Sequence, residues 1–122
     1  MVKDLQLEHV IPVLSTNNIT RDIKWYAEYA GFKLAFEQEG YAGLYRDRIW
    51  LHLQYHVGNQ DDPVFGSVVK FFVKDVQQVL EEMVQRGTVK WDSLRKNTPW
   101  NTHEFAFYDL NKNAIYFVQD VD

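Results

Sequence analysis

The stretch VIPVLSTNNITRDIKWYAEYAGF, Val10–Phe32, runs from an apolar segment through a polar cluster into a helix-spaced segment and a glycine, and SVVKFFVKDVQQVLEEMVQRG, Ser67–Gly87, repeats that order. In the first copy Ile19, Ile23, Tyr26, Ala27 and Ala30 recur at helical spacing. Asn18 stands at the N-cap and Gly31 where a left-handed C-terminal residue belongs. In the second copy Asp75 is the cap, Gln78 three residues on completes a capping box, and Val76, Val79, Leu80, Met83 and Val84 make one face before Gly87 ends the helix. Each helix is predicted to be about three turns long.

Strands are expected on either side. Leu7–Leu14 is apolar and β-branched and precedes the first helix; Phe32–Gln38, Tyr41–Arg46 and Ile49–Tyr55 follow it, the last two joined through Asp47-Arg48. Val57–Pro63 is the most linker-like segment. Ser67–Val73 then leads into the second helix, and His103–Asp109 and Ala114–Gln119 form a hairpin around Leu110–Asn113. Thr88–Thr102 is ambiguous, with one short strand expected near Val89–Trp91 and an irregular loop after it. The chain therefore predicts one α+β domain over 1–122, made of two tandem βαβββ modules at about 7–57 and 66–121, their sheets curving around a shared crevice with the helices outside. An α+β sandwich with fortuitously similar halves is the alternative. A repeat of about 55 residues in two copies is too long and too few for a solenoid.

Composition limits what such a domain does. At 122 residues, surface scaling gives about 6,900 Å² exposed when folded against about 21,000 Å² unfolded, enough burial for a core without staples. No Cys is present, which removes disulfides, zinc–thiolate sites, iron–sulfur clusters and a thiol nucleophile. The 13 Lys and Arg are scattered among 17 Asp and Glu, for a net charge of −4, so no basic stripe tracks a nucleic acid. No apolar run is long enough to span a membrane, MVKDLQLEHV does not read as a signal peptide, and a cytoplasmic location is expected. Aromatic residues make up 16% of the chain (4 Trp, 7 Tyr and 8 Phe), more than a core this size needs, which suggests a ring-lined ligand cleft. Ser15, Ser67 and Ser93 lack nucleophile-elbow glycines, there is no phosphate-cradling loop, and nothing marks a cofactor.

Two segments carry a resemblance. IPVLSTNNITRDIKWYAEYAGF (Ile11–Phe32) resembles the opening of the bleomycin-resistance branch of the glyoxalase, bleomycin-resistance and dioxygenase superfamily, and PWNTHEFAFYDLNKNAIYFVQ (Pro99–Gln119) resembles its ending. The resemblance runs from about Val10 to Gln119 and implies the paired βαβββ fold. It departs at the hairpin, where DLNKN replaces a usual DPDGN and Asn113 is expected to take the left-handed position of the glycine.

The superfamily's metalloenzymes hold a divalent cation with four strand positions, which fall by register on Ile11, His52, Val68 and Tyr116. Only His52 among them suits a metal, so no metal site is expected. A displaced site built from His9 and His52 with Glu104 or Glu37 would make the chain a metal-dependent glyoxalase- or dioxygenase-like enzyme, and this is the alternative function.

The resemblance otherwise implies a homodimer that binds and sequesters a small aromatic or cationic molecule, such as a bleomycin-type antibiotic, without turnover. Mid-strand between Leu51 and Leu53, His52 should look into the crevice beside Trp50 and Gln54, either as a satisfied polar residue or as a ligand contact. Trp100, on a polar loop after Pro99, needs a ligand, a partner subunit or the loop itself to cover it. Phe36 and Tyr116 complete the candidate ligand-binding set of Trp100, His52, Trp50, Gln54, Phe36 and Tyr116, although Phe36, like Trp91, is a weaker candidate read as core ahead of cleft. Glu104 and Asp109 are read as structural, through strand hydrogen bonding and turn initiation, and Glu37 and Glu39 as a solvated face.

Overall fold

The computed structural model describes residues 6–121; residues 1–5 and 122, which include half of the segment considered above as a leader, lie outside the described residues. β1 (Val13–Thr16), α1 (Ile19–Ala30), β2 (Lys33–Gln38), β3 (Tyr41–Arg46) and β4 (Ile49–Tyr55) form the first unit. The second comprises β5 (Val68–Phe72), α2 (Val76–Gln85), β6 (Thr102–Tyr108) and β7 (Ala114–Asp120). The sheets run β1-β4-β3-β2 and β5-β7-β6, and in each the first strand pairs parallel with the last. Two small mixed sheets with a helix apiece are the α+β architecture of tandem βαβββ units, with the second unit one strand short.

Its missing strand lies in the ambiguous segment. Instead of a strand at Val89–Trp91, the chain makes a single 3-10 turn at Trp91–Ser93 and then one antiparallel bridge, Arg95 to Glu104, beside β6. This is the edge that β2 occupies in the first sheet. Pro99 and the left-handed Asn97 and Asn101 (φ 54° and 64°) prevent the ladder from extending. Trp91 is well exposed and not a core residue.

β1 is also shorter than its apolar run. Pairing starts at Val13 opposite His52, and Pro12 contributes only its carbonyl, which accepts the His52 N–H at 3.0 Å. Proline has no N–H to continue a parallel ladder, so Leu7 and Val10 are left exposed.

The helix ends follow their capping chemistry with one change, and the α1 face with another. Asn18 Oδ1 accepts the Arg21 N–H at 3.0 Å, and Gly31 closes α1 at φ 74°. Asp75 caps α2 through the Gln77 N–H at 3.1 Å, not through a reciprocal box with Gln78. On α1 the buried face is Asp22, Tyr26 and Ala30, while Ala27 faces solvent. Asp22 tolerates burial because Thr16 Oγ1, Arg21 Nε (2.8 Å) and Asn111 Nδ2 (2.6 Å) all donate to it.

One core serves both units. Leu14, Leu44, Leu51 and Leu53 of the first sheet join Phe105, Ile115 and Phe117 of the second through Tyr26, Phe32 and Phe71, with the Phe32 and Phe71 rings 5.6 Å apart. Polar ties reinforce the junction. Tyr26 Oη donates to Asp109 at 2.6 Å, and Asn113 reaches Asp109 (2.9 Å), the Ser67 N–H (2.9 Å) and the Ser15 carbonyl (3.2 Å). Asp109 starts the β6–β7 turn by accepting the Asn111 and Asn113 N–H groups. The left-handed residue of that turn is Lys112 (φ 64°) and not Asn113, which is buried and acts as a cross-link. At the far end Glu82 receives Arg46 and Arg86. Partial burial pushes the Glu82 pKa up, but the two guanidinium hydrogen bonds and charges outweigh it and leave it lowered.

Candidate functional site

The two-residue Asp47-Arg48 turn sets the register of the β3–β4 hairpin, placing Tyr41, Gly43 and Tyr45 opposite Gln54, His52 and Trp50. These six share the sheet face away from α1, because Ala42, Leu44, Leu51 and Leu53 take the buried alternate positions. A bulge in β2 between Leu34 and Phe36 brings Phe36 opposite Gly43, where its ring lies over the glycine. A Cβ at position 43 would come within 2.2 Å of Phe36 Cε1.

The result is a partly exposed aromatic wall. Phe36 and Tyr41 stack with planes 10° apart, and His52 meets both edge-on at centroid distances of 5.4 and 5.2 Å. Tyr41 Oη and His52 Nδ1 hydrogen-bond at 2.8 Å, fixing the imidazole in the wall. Trp50 continues it toward Tyr45 and His52. Gln54 flanks it, exposed, with Tyr41 on one side and Ser15 on the other in the strand register.

Trp100, in the turn before β6, and Tyr116, on β7, belong to the second unit and are occupied differently. Trp100 Nε1 donates to Glu104 Oε1 at 2.6 Å, while Arg95 lies over the indole at 5.3 Å. Lys70 Nζ lies 5.3 Å from the centre of the Tyr116 ring. Glu104 is buried: desolvation pushes its pKa up, but hydrogen bonds from Thr102 and Trp100 and the charges of Lys70 and Arg95 prevail and hold it below the usual carboxylate range. Among the described residues no ring contact, hydrogen bond or ion pair joins this group to the Phe36–Trp50–His52 wall.

A cavity of about 560 Å³ lies between the sheets, lined by the irregular segment His9–Pro12, by Arg48–Trp50 at the head of β4 and by Val69–Phe71 of β5. It touches the aromatic wall through Trp50 and the second sheet through Lys70. The strand reading missed Tyr41, Tyr45, Arg48 and Lys70. For the two tyrosines the signal was present, since a two-residue hairpin turn fixes which residues of its strands share a face.

The residues do not fit a superfamily metal. Of the four strand positions, Ile11 and Val68 are hydrocarbon, Tyr116 lies under an ammonium group, and His52 has Nδ1 on Tyr41. The displaced set is also dispersed. His9 lines the cavity, Glu104 Oε1 is held by Trp100 and Thr102, Glu37 is exposed, and His56 bonds Asp62 at 2.8 Å. No three His, Asp or Glu converge among the described residues. No described helix is long and apolar enough to cross a membrane.

This fold places the protein in a known class: the chain belongs to the Glyoxalase/Bleomycin resistance protein/Dioxygenase superfamily, whose family model matches residues 6–117. Among named relatives it is 23% identical to a bleomycin resistance protein of Geobacillus stearothermophilus over 126 aligned positions, covering 91% of this chain and 96% of that one. The bleomycin-binding protein of Streptomyces verticillus, solved with copper(II)-bleomycin, superposes with a TM-score of 0.72 at 23% identity, covering 96% of this chain and 97% of that one. A bleomycin resistance determinant encoded on the transposon Tn5 gives 0.77 at 16% identity over 93% of this chain and 98% of that one.

Proposed function

We propose that this protein binds and sequesters a small molecule bearing a planar aromatic group, in the cytoplasm and without turning it over. The observation that carries this reading is the wall of Phe36, Tyr41, Trp50 and His52. It is a preassembled ring surface, partly open to solvent, with Gly43 vacated so that Phe36 can lie flat. Exposed aromatic surface of this kind binds planar groups through area burial and stacking at little ordering cost. Trp50, His52, Phe36 and Gln54 supply one side of the ligand site, and Trp100 and Tyr116 a second side. The named bleomycin resistance relatives make a bleomycin-type antibiotic the first ligand to try.

Two such sides call for a second copy of the chain. Val68, Phe72, Trp91 and Tyr108 are exposed along the second unit. A homodimer would cover such surface and bring one protomer's aromatic wall toward its partner. Sedimentation at micromolar concentration tests it, with a monomer overturning the dimer.

The test of binding is tryptophan fluorescence. Titration with a bleomycin-type compound is expected to quench emission saturably, and Trp50→Ala and Trp100→Ala each to remove part of the change. Emission flat throughout the titration would remove the antibiotic reading.

A further inference from the structure

The charges around the inter-sheet cavity narrow the ligand class. Its titratable lining consists of His9, Arg48 and Lys70, with no carboxylate among them. Among the described residues none of the three is in an ion pair. Glu104 is the carboxylate that feels the Lys70 charge, and Oε1 of that group already accepts from Trp100 and Thr102. Asp47, Asp75 and Glu82 line the neighbouring cavity of about 690 Å³, which shares only Arg48, Ile49 and Phe71 with this one. The rest of the lining is hydrocarbon and ring, from Val10–Pro12, Ile49, Trp50, Val69 and Phe71. In the second unit Lys70 lies over one face of Tyr116 and Arg95 over one face of Trp100, and neither ring lines this cavity.

From this juxtaposition, an apolar, ring-walled cavity whose charged lining is wholly basic, we infer that the protein selects a planar aromatic carboxylate. The inference rests on the small-molecule-binding reading and names its ligand class. The aromatic body lies against Trp50, Phe71 and the Val10–Pro12 hydrocarbon. The carboxylate meets the Arg48 guanidinium, whose planar fork matches a carboxylate's two oxygens, with the Lys70 ammonium on the β5 side. The net charge of −4 does not oppose this, because surface acids farther than the roughly 8 Å Debye length at physiological ionic strength are largely screened. A cationic ligand would have to enter against the Arg48 and Lys70 charges, with no carboxylate of the lining to receive it. The volume suits a two- or three-ring molecule.

Three probes of one shape test it on the full chain by calorimetry at neutral pH: 2-naphthoate, the neutral 2-naphthamide and 2-naphthylmethylammonium. The carboxylate is expected to bind at least tenfold tighter than the ammonium. Arg48→Gln is an exposed turn substitution that leaves the core untouched; it should weaken the carboxylate severalfold and leave the amide within twofold, and Lys70→Gln should act in the same direction. Equal or tighter binding of the ammonium, or carboxylate affinity unchanged in both variants, overturns the anion preference and leaves the binding reading standing. Absence of binding by all three overturns the preference and, if bleomycin-type compounds also leave the fluorescence unchanged, the binding reading with it.

Discussion

Substituting Gly43 by alanine puts a methyl group where Phe36 now lies. The built Cβ meets Phe36 Cε1 at 2.2 Å and Cδ1 and Cζ at 2.7 Å, against an ordinary carbon–carbon contact of about 3.5–4.0 Å. The ring must leave the wall, giving up its stacking on Tyr41 and its edge contact with His52, each worth about 0.5–1.5 kcal/mol beyond area burial. Gly43 has no positive φ, so alanine there also reduces unfolded-chain entropy, a gain of about 0.4–1 kcal/mol. The net expectation is a loss of about 1 kcal/mol. A double-mutant cycle isolates the cause. In a Phe36→Ala background the obstacle is gone, and Gly43→Ala should be neutral or stabilising, giving a coupling of at least about 1 kcal/mol, outside the roughly 0.3–0.5 kcal/mol scatter of independent sites. Urea unfolding followed by circular dichroism measures all four corners through the midpoint shift. The same Gly43→Ala loss in both backgrounds would refute the claim that this glycine exists to seat Phe36.

Three further outcomes are expected. Tyr26→Phe removes the 2.6 Å hydrogen bond to the buried Asp109 and should lower stability by about 1.5–3 kcal/mol in the same urea assay, since the acceptor is charged. Trp100→Phe deprives Glu104 of its indole donor; a cost of similar size is expected, and one below about 0.5 kcal/mol would show that the Trp100–Glu104 bond stabilises nothing. Glu104 has a folded-state pKa below its unfolded value of about 4.3, so the stability it contributes is complete above that pH and is lost as pH falls through the lowered folded value. Acid unfolding of Glu104→Gln should therefore show a shallower fall in stability below about pH 4 than the unsubstituted chain.

Local chemistry made much of the fold legible. The Asn18 and Asp75 caps, Gly31, the Asp47-Arg48 turn and the two helical faces are short-range features, set by residues a few positions apart. Proline and long-range pairing defeated the rest. Pro12 cuts β1 short, although Leu7–Leu14 has the composition of a strand. Arg95 makes a lone bridge because residues 97–101 turn away, and alternation over Val89–Trp91 could not reveal that. Buried polar residues were the hardest to read. Asn113 looks like a turn residue, yet it links Ser15, Ser67 and Asp109, contacts 46 or more residues apart in two of three cases. At the site, the alternation that turned His52 and Trp50 to one face was readable. The basic lining was not, because Arg48, Lys70 and His9 come from three separate segments.

The parallel closure of each sheet has a consequence for how the chain is made. Val13 pairs with His52, and Val68 with Ala114, so neither sheet can close until its last strand arrives. Loops of this length must be closed before their contacts give anything back, which slows folding relative to a helical bundle of equal size. A nascent chain still lacking β7 would hold Phe71 and Phe105 without the Phe117 ring that packs against both, so the aromatic core of the second unit stays unpaired until β7 is made.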